Sequence, residues 1–65
     1  MKVYAAAWRL GVSTDRIRRM IKRGTLRATK PRGAGWQDTR WEVNDNDVRR
    51  EVKRMRRIYK LAGLG

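Results

Sequence analysis

Apolar positions recur along this chain with a period near 3.6, then near two, then near 3.6 again, and glycine or a capping residue stands at each change. Val3, Ala6 or Ala7, and Leu10 share one helical face. Gly11 follows, a residue suited to the left-handed C-cap of a short helix of about two turns. After Val12, Ser13 offers an N-cap oxygen to a second helix, with Thr14 as the competing cap. That helix runs over 14–23, buries Ile17, Met20 and Ile21, and stops at Gly24. Between Leu26 and Val43 the period falls to two: Leu26 and Ala28 flank Arg27, while Thr39, Trp41 and Val43 alternate with Arg40 and Glu42. The pattern predicts a two-stranded hairpin over 25–43. Its loop, 29–38, is long and rich in Gly, Lys and Arg, so it is expected to stay loose until it meets a ligand.

A third helix over 44–61 is marked by Asn44 as N-cap and by Asp47 at the third helical position, where a carboxylate suits the helix dipole. Val48, Val52, Met55, Tyr59 and Ala62 then trace one narrow apolar seam, and residues 61–65 read as a frayed tail. Arg49, Arg50, Lys53, Arg54, Arg56, Arg57 and Lys60 occupy the other faces. Trp8 and Trp41 are assigned to the core or its edge, and Trp36 is read as folding back over a thin core. The expected fold is mainly α with a small β-hairpin, a single domain over 1–65.

Size and charge narrow the possibilities. At 65 residues the chain is near the lower limit for a core without disulfide or metal, with an expected stability of about 3–5 kcal/mol. Eighteen Lys and Arg against six Asp and Glu give a net charge of +12, a self-repulsion that a polyanionic partner relieves. The pI near 11.7 passes the usual filter for nucleic-acid-binding domains. With no Cys and no His, the chain lacks the usual zinc ligands and any disulfide framework, and no metal or cofactor is expected. Catalysis lacks parts as well, since the only Ser is better used as a cap and the carboxylates are scattered, so the chain reads as a binder and not an enzyme. No apolar run approaches a membrane span and the opening residues break too early for a signal peptide, which makes a cytoplasmic location the expectation. No small-molecule ligand is expected.

On the second helix, with Ile17 set at zero and 100° per residue, the face opposite the core holds Asp15, Arg19 and Lys22. Arg18 lies on one flank, Arg16 and Arg23 on the other, and Thr14 at the N-terminus. An Arg aimed at base edges pairs with guanine O6 and N7, and Arg18 and Arg19 are the candidates. Asp15 is assigned to orienting a neighbouring Arg in preference to accepting from cytosine.

The stretch Ala6-Ala7-Trp8-Arg9-Leu10-Gly11-Val12-Ser13, with Ile17-Arg18-Arg19-Met20-Ile21-Lys22-Arg23-Gly24-Thr25-Leu26, resembles the excisionase and MerR-like winged helix-turn-helix families. Arg40-Trp41-Glu42-Val43-Asn44-Asp45-Asn46-Asp47-Val48 is similar to their returning wing strand and third helix, and the match covers about Val3 to Met55. The loop between the strands is longer than in a minimal member and the third helix runs further. The resemblance implies a winged helix-turn-helix over 1–65: a helix-turn-helix at 3–23, a wing at 25–43 and a third helix at 44–61. It implies a double-stranded DNA partner met by Thr14, Asp15, Arg16, Arg18, Arg19, Lys22 and Arg23 of the recognition helix. Arg27, Lys30, Arg32 and Arg40 of the wing are the accompanying candidates. The role it implies first is that of an excisionase, a recombination directionality factor that bends attachment-site DNA beside an integrase and neighbouring copies of itself. A small MerR-like regulator and a phage packaging-type DNA-binding module are the alternatives. From a different class, the basic third helix also suits structured RNA. A membrane surface suits it less well, because its seam lacks a broad Leu, Phe and Trp face.

Overall fold

The first helix, α1, spans Val3–Leu10 and the second, α2, spans Thr14–Arg23; the short link between them is set by one glycine and one serine. Gly11 adopts φ 66°, a left-handed conformation that a side chain disfavours, and its N–H closes back on the α1 carbonyls. Ser13 is extended, and its hydroxyl accepts the Arg16 N–H at 3.2 Å, so Ser13 and not Thr14 caps α2. Gly24, at φ 84°, ends α2 as the pattern requires. In this computed structural model residues 1–61 and 63 are described.

Strands β1 (Ala28–Thr29) and β2 (Glu42–Val43) pair antiparallel, with Ala28 opposite Val43 and Thr29 opposite Glu42. Helix α3 covers Asp45–Leu61. The chain is therefore mainly helical, with three helices and a small two-stranded antiparallel sheet among the described residues.

The strands are much shorter than alternation suggested. Thr39 and Arg40 lie in a turn, not in a strand, because Asp38 accepts both the backbone N–H of Arg40 (2.8 Å) and its guanidinium. Residues 30–41 are anchored instead of loose: turns close from Ala34 N–H to Pro31 O (3.0 Å) and from Asp38 N–H to Gly35 O (3.2 Å), and Ala34 is buried. The N-terminal residues, which the hydrophobic pattern left unassigned, add a bridge on the far edge of β2. Lys2 pairs with Glu42, and the Val43 N–H donates to Met1 O at 2.6 Å.

The core is thin: Val3, Ala6, Ala7 and Leu10 of α1, Ile17 of α2, Leu26 ahead of β1, Trp41, Val43 of β2 and Val48 of α3. Met20, Ile21, Val52 and Met55 pack at its margin. The α3 seam leaves the core after Met55, since Ile58 and Tyr59 are about half exposed, and Ala62 lies outside the described residues. Trp8 overturns its core assignment, being 87% exposed. At 100° per residue it lies roughly 150° from the centre of the Val3, Ala6, Ala7 and Leu10 face, so a helix that buries those four must expose Trp8. Among the described residues, no helix is long and apolar enough to cross a membrane.

One buried carboxylate ties the sheet to α3. Asp47, 1% exposed, caps nothing itself; its N–H is received by Asn44 Oδ1 (3.0 Å), and its carboxylate accepts the Arg27 backbone N–H (2.9 Å) and both Arg27 Nε (2.9 Å) and Nη2 (3.1 Å). Arg50 donates to it as well. These donors, the Arg27 side chain first and its backbone N–H second, hold the Asp47 carboxyl at about 2, below its ordinary 3.8. A carboxylate depressed in the fold stabilises it fully above the unfolded pKa and loses that contribution as pH falls through the folded value. Stability to urea is thus expected to be flat from neutral pH down to about 5 and to drop between about 4 and 2, where Asp38, also held near 2 by Arg40, protonates too. Urea midpoints at stepped pH check this, and a midpoint indifferent to pH below 4 would contradict the role of the clasp.

Candidate nucleic-acid interface

Helix α2 buries Ile17 and turns Asp15, Arg16, Arg19, Lys22 and Arg23 to solvent, while Thr14 is half-buried at its start. Arg18 departs from its flank position. Its side chain is only 17% exposed, Nη1 donates to Thr14 Oγ1 (3.3 Å) and Asp15 Oδ1 (3.1 Å), and its buried Nε has no partner. Asp15 thus holds Arg18, as expected of an acid on a cationic face. Arg19 has no ion-pair partner among the described residues and is left as the extended guanidinium at the middle of the surface.

The long loop comes back to the same helix. Trp36 stacks on buried Trp41 with ring centroids 4.9 Å apart and planes within 14°, and the Trp41 indole N–H donates to Gly35 O at 3.0 Å. Lys22 Nζ sits 5.0 Å from the Trp36 ring centroid, so the indole is roofed by an α2 cation and floored by the core. The reading of Trp36 as a cover for the core therefore holds on one ring face only; at 41% exposure the residue also borders the α2 surface. Asp15, Arg18, Arg19, Lys22, Trp36 and Gln37 together line a shallow cleft of about 320 Å³. Nothing in residue spacing marked the approach of Trp36 and Gln37 to α2, because it depends on where the turns at Pro31 and Gly35 send the chain.

The four hairpin candidates separate into two pairs. Lys30 and Arg32 are exposed and have no ion-pair partner among the described residues. Arg27 and Arg40 are committed internally, to Asp47 at 2.9 Å and to Asp38 at 2.8 Å, each through a two-nitrogen fork. Each raises the guanidinium pKa through its carboxylate hydrogen bonds, so both remain cationic but are oriented by the fold.

Every acid of the chain is used in this way. Asp15 holds Arg18, Asp38 holds Arg40, Glu42 holds Lys2 (2.7 Å), Asp45 meets the Met1 ammonium (2.7 Å), Asp47 holds Arg27 and Arg50, and Glu51 holds Arg54 (2.9 Å). The uncompensated cations of α2 are consequently Arg16, Arg19, Lys22 and Arg23, beside the engaged Asp15, and those of the following loop are Lys30 and Arg32. A surface of this kind attracts polyanions and adds one aromatic edge and one amide for contacts at closer range. Comparison with protein-family models, with curated proteins and with solved structures returns no match to this chain.

Proposed function

We propose that the chain is a sequence-specific double-stranded DNA-binding domain of winged helix-turn-helix type, with α2 entering the major groove and the 30–41 loop alongside it as the wing. The observation that carries this reading is the charge census: all the acids are spent on internal pairs, and the solvent face of α2 is left as uncompensated Arg and Lys. The α1–Gly11–α2 arrangement supports it, since a sharply capped turn between two short helices presents the second helix outward. Within this class the role proposed is that of an excisionase, which rests on the resemblance of residues 6–26 and 40–48 described above.

Binding of the full chain to duplex DNA, structured RNA and anionic vesicles at matched salt tests the class. The tightest binding is expected on duplex DNA and is expected to fall steeply with salt; equal or tighter binding to RNA overturns the reading. For the role, the chain is expected to shift an integrase reaction toward excision, and an unchanged product ratio would leave DNA binding standing without it. Lys30→Ala is expected to weaken specific and random duplexes alike and to flatten the slope of log K against log salt by about one, the value for one lost phosphate contact. Fluorescence anisotropy over a salt series reads both quantities.

A further inference from the structure

A second group of uncompensated cations lies away from α2. On α3 the residues one step beyond the apolar seam are Arg49, Lys53, Arg56 and Lys60, at spacings of four, three and four, so they form a stripe along one flank. The opposite flank, one step before the seam, holds Asp47, Glu51 and Arg54, and this is the side clasped to Arg27 of the hairpin. The stripe therefore faces away from the hairpin. Arg9 of α1 closes its other side: Arg9, Arg49, Val52, Lys53 and Arg56 line a cleft of about 260 Å³ that shares no residue with the α2 cleft. None of these cations has a carboxylate ion-pair partner among the described residues; Asp45, which is held by the Met1 ammonium, feels Arg49 and Arg9 only through space. Helix α1 packs against both α2 and α3 and contributes Arg9 to the second surface.

We infer that the Arg9, Arg49, Lys53, Arg56 and Lys60 surface is a second DNA-binding site, one that takes the phosphate backbone of another duplex segment while α2 holds the first. This rests on the proposed DNA-binding function. The chemistry is that of backbone contact without base reading: long cations along a groove with an apolar floor, no acid and no amide to discriminate among bases. From Arg49 to Lys60 the stripe runs about 16 Å, a length over which duplex DNA presents roughly ten phosphate charges. The two surfaces lie on different helices and their clefts share no lining residue, so each has room for its own duplex segment. Two segments, bridged by one protein, satisfy the geometry.

The test mixes two short duplexes carrying donor and acceptor dyes with the full chain, reads energy transfer between them, and determines composition by native mass spectrometry with duplex in excess. The expected result is transfer together with a complex of one protein and two duplexes. The triple variant Arg9→Gln, Lys53→Gln, Arg56→Gln removes charge without shortening the helix, and its folding is verified by circular dichroism and thermal melting. It is expected to lose bridging at least tenfold while its affinity for a single short duplex changes less than about threefold at physiological salt, where charges beyond ~8 Å are screened. Single-duplex binding without bridging, a bridge containing two proteins per two duplexes, or undiminished bridging by the folded variant each overturns the inference and leaves the first site intact. Absence of any duplex binding by the wild-type chain overturns both readings. If the triple variant does not fold, Arg56→Gln and Lys53→Gln singly are each expected to lower bridging severalfold, and no loss in either overturns the inference.

Discussion

Asp47→Ala is expected to lower the thermal midpoint by at least about 10 °C, a large change for a domain whose core is built from small aliphatics. Removing this carboxylate strips the Arg27 backbone N–H of its acceptor and releases the Arg27 fork and Arg50 together. Deleting one partner of a buried pair costs more than the pair contributes, because the remaining groups are left desolvated without a partner. Three variants separate the causes. Asp47→Asn keeps an acceptor oxygen and loses the charge, so it is expected to fall between Ala and wild type. Arg50→Ala, whose side chain is 69% exposed, is expected to shift the midpoint by no more than about 3 °C, in line with an i,i+3 surface pair. Arg27→Ala leaves its backbone N–H bonded to Asp47 and is expected to be milder than Asp47→Ala. Thermal melts followed by circular dichroism measure the series, and an Asp47→Ala midpoint within about 3 °C of wild type would mean that the clasp does not hold α3 to the sheet.

Arg19→Ala is expected to weaken binding to the preferred duplex by about 5- to 150-fold while changing random-sequence binding severalfold at most. The preferred site is the one enriched by the wild-type chain from a randomised duplex library. Arg19 is the exposed guanidinium opposite Ile17, whereas Arg18 is tied down by Thr14 and Asp15. A bidentate contact to guanine is the interaction whose loss costs this much and whose loss depends on sequence. The comparison with Lys30→Ala is informative because that residue is expected to move affinity without moving the ratio of preferred to random binding. A ratio unchanged in Arg19→Ala would place sequence reading elsewhere on the surface, with Gln37 the nearest amide in the cleft. Arg18→Ala is expected to differ from both, since it frees Asp15 to repel phosphates as well as removing a cation.

The two variants bear on different links between sequence and function. Asp47 acts on whether α3 and the hairpin stay together. Arg19 acts only once that frame exists. Trp36 joins them: stacked on Trp41 and roofed by Lys22, it couples the loop to the solvent face of α2 through about 5 Å contacts.

Much of the frame was legible in the residues. Gly11, Ser13, Gly24 and Asn44 mark helix ends because each answers a local backbone requirement, a positive φ or an N–H without an acceptor, that needs no distant partner. The apolar faces of α1 and α2 were readable for the same reason, as a helix of fixed period brings its own residues into register. The outward face of α2 followed from Ile17 alone, and so did the placement of Arg19 and Lys22.

The hydrophobic pattern failed where a polar side chain, near or distant in sequence, claimed the backbone or a cation for itself. Alternation at Thr39, Trp41 and Val43 suited a long strand, yet Asp38 bonded to Arg40 turned the chain and left two residue pairs in the ladder. Trp8 is apolar, yet the helix period turns it outward, because the same helix must bury Val3, Ala6, Ala7 and Leu10. The internal use of Arg27, the burial of Asp47 and the arrival of Trp36 beside Lys22 depend on contacts between residues 14 to 20 apart, for which spacing carries no signal. Sequence by itself determined the helices, their caps and the excess of positive charge, because these arise from local backbone chemistry and composition. Only the tertiary structure decided that Asp47 also takes Arg27, that Glu42 and Asp45 take Lys2 and the Met1 ammonium, and that Trp36 returns to Lys22, because those pairings are made by packing across the fold.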